Sequence, residues 1–80
     1  MNILTRADPS LRITEHARLR ASDRDVSLKE LSRVFSDPRF VEKNSKRDPE
    51  SRRYVLRYKN LRIVWELVGN VITVLGIFAK

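Results

Sequence analysis

The stretch RRYVLRYKNLRIVWELVGNVITVLGIF, residues 52–78, decides the fold. It holds three runs rich in β-branched and aromatic residues: Arg52 to Tyr58, Leu61 to Val68 and Val71 to Phe78. Lys59-Asn60 and Gly69-Asn70 separate them, and two residues suffice for a tight hairpin loop. The spacing predicts an antiparallel meander. If each loop holds only its two residues, Tyr58 pairs with Leu61, Arg57 with Arg62, Val55 with Val64 and Arg53 with Glu66. Across the second loop Glu66 pairs with Thr73, Val64 with Leu75 and Arg62 with Ile77. Side chains alternate along a strand. One face therefore gathers Tyr54, Leu56, Tyr58, Leu61, Ile63, Trp65, Leu67, Ile72, Val74 and Phe78. That face is almost wholly apolar and demands a cover, which also makes core packing the expected role of Tyr54, Tyr58 and Trp65, although aromatics can stack on bases.

The cover lies upstream. Thr14 has the chemistry of an N-cap and Glu15 suits a first helical turn, so a helix is expected from Glu15 to about Arg24. A second is better marked: Ser27 and Glu30 have capping-box spacing, and Val26 with Leu31 has that of a hydrophobic staple. Leu28, Leu31, Val34 and Phe35 form its apolar stripe. Asp37-Pro38 ends it, because the residue before proline is pushed out of helical conformation. Arg39 to Glu42 alternates like a short strand, Lys43 to Ser51 reads as a polar, mobile loop, and Met1 to Arg12 as an extended arm or short edge strand. The expectation is a single α+β domain over residues 1–80: an arm at 1–12, two helices at 14–36 and a meander at 39–78. The helices pack on one face of a mostly antiparallel sheet of three or four strands, with Val71 to Phe78 as an exposed edge open to a partner strand.

Composition narrows the function. Eighty residues with 17 Lys plus Arg against 10 Asp plus Glu carry a formal net charge of +7. There is no cysteine and one histidine, so disulfides, thiolate-bound zinc, cysteine nucleophiles and multi-histidine metal sites are excluded. No cofactor is expected. No apolar run approaches the roughly 20 residues of a membrane span, and the first residues lack a signal-peptide core. A cytoplasmic protein with a polyanionic partner is the expectation, nucleic acid first, and no membrane.

The second face of the meander carries Arg53, Val55, Arg57, Arg62, Val64, Glu66, Thr73, Leu75 and Ile77. Arg57 opposite Arg62 is a like-charge cross-strand pair, which costs stability unless an anion neutralises it. Either the long side chains splay into solvent, or the face is a phosphate-binding floor on which guanidinium groups grip oxygens in pairs. Lys43, Lys46, Arg47 and Arg52 adjoin it, extending the candidate RNA-binding set to its rim.

His16, Arg20 and Arg24 recur at steps of four along the first helix, beside Ala17 and Ala21, which are small enough to let that side approach the sheet. Histidine is the residue type whose ordinary pKa suits proton transfer near neutrality. Ribonucleolytic cleavage needs a base for the ribose 2′-hydroxyl, an acid for the leaving oxygen and cations for the phosphorane charge. His16 with Arg20, Arg53 and Arg62 are the candidate catalytic residues; Arg24, Lys43, Lys46, Arg47, Arg52, Arg57 and Thr73 are candidate RNA contacts. The plainer alternative is a helix histidine bonded to a carbonyl, with Arg20 and Arg24 in ordinary ion pairs.

His16-Ala17, Arg20, Arg24, Val26-Ser27 and Asp37-Pro38, with a basic strand, a second strand and a closing strand after them, resemble a family of small bacterial domains of unknown function. The resemblance covers Ile13 to Phe78. Those domains are similar in turn to the RelE/ParE and BrnT toxins of bacterial toxin–antitoxin pairs, with Arg53 and Arg62 at the usual basic positions. The resemblance implies helices on one side of an antiparallel sheet, metal-independent cleavage of free or ribosome-bound RNA, and a cognate antitoxin as partner. Asp25 departs from the family, which usually has glycine there, so a different interhelix turn is expected. Many RelE-like toxins carry further basic or tyrosine residues after the last strand, where this sequence has only Ala79 and Lys80. ParE-like members act on a protein target without cleaving RNA. Two readings therefore stand: a toxin-type endoribonuclease, and a non-catalytic basic module that binds nucleic acid or a protein.

Overall fold

A computed structural model describes residues 10–79. In chain order the elements are β1 (Ser10–Ile13), α1 (Glu15–Asp23), α2 (Leu28–Phe35), α3 (Pro38–Asn44), β2 (Ser45–Arg47), β3 (Arg53–Tyr58), β4 (Leu61–Val68) and β5 (Val71–Ala79). They form one five-stranded mixed sheet in the order β1-β5-β4-β3-β2, with three helices. The α+β architecture read from the sequence is present, with one helix and at least one strand more than expected.

Both tight hairpins form. Tyr58 pairs with Leu61 and Val68 with Val71, so each loop holds two residues. The first loop residue has positive φ in each, 54° at Lys59 and 60° at Gly69. The register between β3 and β4 is the expected one, Arg57 facing Arg62 and Arg53 facing Glu66.

The register between β4 and β5 is not. Glu66 faces Thr73 and Trp65 faces Val74, but Val64 faces Gly76, leaving Leu75 as an extra residue on β5. This β-bulge exchanges the faces of everything beyond it. Ile77 faces Ile63 and is fully buried, whereas Phe78 faces Arg62 and is 43% exposed. The expected pairs Val64–Leu75 and Arg62–Ile77 are thus displaced, and Phe78 leaves the core face for the other.

Only the second half of β5 is an edge: among the described residues, 76–79 pair with β4 alone. β1 pairs with the first half in parallel, Ser10 with Val71 through Ile13 with Val74. Of the extended arm expected at Met1 to Arg12, residues 1–9 lie outside the described residues, and the end of it forms β1. A further correction concerns Arg39 to Glu42, which is helical. Asp37 caps α3, its Oδ1 accepting from Phe40 N at 3.2 Å, and Pro38 opens the first turn with its φ already suitable. The proline that stops one helix starts the next. Lys43 and Asn44 finish α3, and Ser45–Arg47 pairs with β3, so the expected loop shortens to residues 48–52.

One core lies between the helices and a single sheet face: Ala17, Ala21, Val26, Leu31, Val34, Phe35 and Val41 meet Leu56, Ile63, Trp65, Ile72, Val74 and Ile77. Leu28, expected in the stripe, is 40% exposed. Trp65 is fully buried, with Phe35 edge-on at 5.8 Å, Tyr54 stacked at 4.5 Å, and its indole N–H donating to Ser45 Oγ at 3.2 Å. Core packing is the role of these aromatics, as their register implied. Asp25, where a different turn was expected, takes the left-handed conformation itself at φ 62°.

Candidate nucleic-acid interface

The helices cover one face of the sheet and leave the other to solvent. Along this outer face Lys46, Val55, Val64 and Gly76 form one cross-strand row, since Lys46 faces Val55, Val55 faces Val64 and Val64 faces Gly76. The next row holds Arg57, Arg62 and Phe78, and another holds Arg53, Glu66, Thr73 and Arg12. Arg57 and Arg62 are both exposed. In antiparallel neighbours the Cβ atoms of facing residues stand about 4.5–5.5 Å apart, so two cations are held side by side.

The end of α3, β2 and the following turn fold over this pair. A groove results, lined by Lys43, Lys46, Arg47, Arg57 and Arg62 around Asn44, Ser45 and Val55, with Asp48 and Pro49 at its end. Among the described residues Asp48 is the one acidic wall residue, and its Oδ1 accepts from the backbone N–H of Glu50 at 2.9 Å. Most of the candidate RNA contacts thus converge. Arg53 lines a neighbouring shallower depression with Asp48, Val55, Val64, Leu75, Gly76 and Phe78. Thr73 lies half-buried on the same face, between Glu66 and Arg12.

His16 reaches this face from its far edge. Thr14 fixes the start of α1: its Oγ1 accepts from Ala17 N at 3.1 Å and donates to the carbonyl of Leu75, the bulged residue, at 3.3 Å, while its N–H donates to Val74 O at 3.1 Å. Ala17 and Ala21 are fully buried, so the helix sits close on β5. His16 is exposed and borders Gly76: a Cβ built on that glycine would stand 3.8 Å from His16 Cδ2 and 3.0 Å from Phe78 Cε2. Imidazole and phenyl ring close on the same point, and Arg62 faces the phenylalanine.

The remaining candidates lie elsewhere. Arg20 pairs with Asp23 at 3.5 Å on α1 itself, and Arg24 is the C-cap of that helix; neither lines the groove. Arg52 is exposed in the turn before β3, also outside the lining. Phe78 and Asn44 are the residues the sequence reading missed. The signal for Phe78 was Gly76, since a lone glycine inside a strand pattern marks a bulge.

Residues 13–78 match the family described as a domain of unknown function (DUF4258). The chain belongs to that family. No curated protein matches this DUF4258 chain. Among solved structures, it is similar to a chain of the toxin–antitoxin complex RelBE2 from Mycobacterium tuberculosis. The match has a TM-score of 0.63 at 16% identity, and covers 92% of the DUF4258 chain and 100% of the other. At that identity the likeness is one of fold. No helix among the described residues is long and apolar enough to cross a membrane.

Proposed function

We propose that this DUF4258 chain binds single-stranded RNA across the outer face of its sheet and cleaves it, as the toxin of a toxin–antitoxin pair. The observation that carries the reading is Arg57 directly opposite Arg62, exposed at the floor of a groove whose walls add Lys43, Lys46 and Arg47. A folded domain holds like charges in register at a cost, and a phosphodiester removes that cost by accepting from both guanidinium groups. Arg57, Arg62 and the groove lysines bind the backbone, and Arg53 extends the cationic surface toward β5. His16, next to Phe78 and Gly76, is the group suited to move a proton, as base toward the 2′-hydroxyl or as acid toward the leaving 5′-oxygen. Attack of the 2′-oxygen on phosphorus breaks the bond to the 5′-oxygen and leaves a 2′,3′-cyclic phosphate and a 5′-hydroxyl. Arg62 and Arg57 would stabilise the negative charge that builds on the phosphoryl oxygens in between.

A second reading is favoured by one specific feature. The cations are densest at the β2–β3 side, while the single histidine stands beyond β5, three strand spacings or about 14 Å across the sheet from β2. That separation suits binding without cleavage. Incubating the purified chain with end-labelled single-stranded RNA in EDTA distinguishes the two. The ribonuclease reading expects wild type to yield fragments ending in cyclic phosphate, and His16→Ala to yield none while still binding and melting like wild type. Intact RNA with salt-sensitive binding would leave the binding module. Fragments from His16→Ala at the wild-type rate would remove this residue from the chemistry.

A further inference from the structure

We infer that Phe78 and the aliphatic strip beside it form a nucleobase-stacking subsite; the inference rests on the RNA-binding reading above and assigns the base half of the nucleotide. Six aromatic side chains occur in this sequence. Five of them pair with one another, Phe35 and Tyr54 with Trp65 and Phe40 with Tyr58. Among the described residues Phe78 pairs with no other Phe, Tyr or Trp ring; its ring neighbour is the His16 imidazole, and it lies 43% exposed. It stands there because of the bulge: were Leu75 paired with Val64 in unbroken alternation, Phe78 would face the core and Ile77 the solvent. An apolar ring put outside by a local irregularity gives up burial that the same strand could have provided.

The surroundings are shaped for a ring. Gly76 precedes Phe78 by two residues on the same face, and a Cβ there would meet the phenyl carbons at 3.0 and 3.1 Å. Only a missing side chain lets the ring lie down over the strand. Val55, Val64 and Leu75, all half-buried, continue the apolar floor toward β3. Arg53 borders this depression, Arg62 faces Phe78 directly, and Val55 and Asp48 line both the depression and the cationic groove, so the two adjoin there. A chain that alternates flat apolar bases with anionic phosphates matches such a pair of strips. A protein segment would need carboxylates in the same phase to match it. Single-stranded recognition characteristically couples a positive groove to aromatic platforms, and each stacked base is worth roughly five- to 150-fold in affinity.

The test uses the whole chain and two families of RNA hexamer at one low salt concentration. In one family 2-aminopurine replaces a base at each position in turn; in the other the same position is abasic. We expect wild type to quench 2-aminopurine fluorescence at one position. Phe78→Leu should lower affinity for that hexamer about tenfold and abolish the quench, while its affinity for the abasic partner matches that of wild type within about twofold. Gly76→Ala, which crowds the ring from beneath and shifts it by a few tenths of an ångström while leaving Phe78 in place, should weaken the quench. Arg62→Ala should weaken both families. Thermal melts by circular dichroism confirm folding. If Phe78→Leu binds and quenches like wild type while Arg62→Ala weakens both families, the stacking subsite is wrong and the phosphate groove stands. If wild type binds neither family, the RNA-binding reading fails and takes the subsite with it.

Discussion

Under the proposed function Arg57 and Arg62 carry opposite consequences for folding and for binding, which makes them the sharpest probes of the groove. Facing like charges on adjacent strands cost a few tenths to 1 kcal/mol. Arg57→Thr, which keeps strand propensity, should therefore raise stability by about 0.3–0.5 kcal/mol in low salt and lose that gain in high salt. The same substitution should weaken RNA binding. Urea midpoints at two salt concentrations and an RNA titration check the pair of outcomes; lower stability at low salt would show that the guanidinium is engaged within the fold. Asp25 carries a second prediction at this scale. Its φ of 62° is one that glycine adopts freely and a side chain with Cβ adopts at a cost. Asp25→Gly should be neutral or stabilising by up to about 0.5 kcal/mol, and Asp25→Ala destabilising by about 1 kcal/mol, as read from thermal melts. The sequence exposed the arginine pair because a two-residue loop leaves one register. It did not expose Phe78, because counting alternation from Asn70 assumes one residue per position, and Leu75 breaks that count.

Between elements, a polar clasp ties α2 to the β3–β4 hairpin. Glu30 was expected to complete a capping box with Ser27, and half of it forms: Ser27 Oγ accepts from Glu30 N at 3.0 Å. The Glu30 carboxylate instead accepts from the Tyr58 hydroxyl and from Lys59 Nζ, the latter at 2.9 Å. Spacing within a helix shows its own caps but not a long-range partner, which only the folded hairpin supplies. The Tyr58 hydrogen bond first, and then Lys59, hold the Glu30 pKa below the ordinary value of 4.5. The carboxylate in turn raises the Tyr58 and Lys59 values. A depressed carboxylate contributes stability that is present above its unfolded pKa and lost as pH falls through the folded one. The raised phenol and ammonium contribute stability that is present below about pH 10 and lost as pH climbs through their folded values. Urea midpoints of wild type and Glu30→Gln should therefore differ most between about pH 5 and 9, and converge toward pH 3. A constant gap down to pH 3 would refute the clasp. The helix at Pro38–Asn44 was hidden for a related reason: the four residues Arg39-Phe40-Val41-Glu42, polar at the ends and apolar between, are too short to show either period, and the Asp37 cap with Pro38 settles the choice through hydrogen bonds that periodicity does not count.

At the scale of the whole molecule, a net charge of +7 can act in two ways. On the proposed function it would attract RNA as a diffuse cloud, to which every arginine contributes alike, or through one surface. The proposed groove implies the second: the sheet separates a helix-covered side, with Arg18, Arg20, Lys29 and Arg33 exposed on α1 and α2, from a bare side whose groove holds Arg57 and Arg62. Arg33 on α2 and Arg57 on β3 are equal in the sequence count and stand on different sides of that sheet. For single-stranded nucleic acid the slope of log affinity against log salt is about −0.7 per neutralised phosphate. If each of Lys43, Lys46, Arg47, Arg57 and Arg62 meets one phosphate, wild type should approach a slope of about −3.5. Arg57→Ala should make it shallower by about 0.7, whereas Arg33→Ala should leave it within error of wild type. Titrations of one oligoribonucleotide from about 50 to 200 mM salt measure all three. Equal losses from both substitutions would mean a uniform cationic shell, and the groove would then have no special claim on phosphate. An unequal loss ties the binding to β2–β3–β4, on the side of the sheet that also carries the Phe78 ring and borders His16.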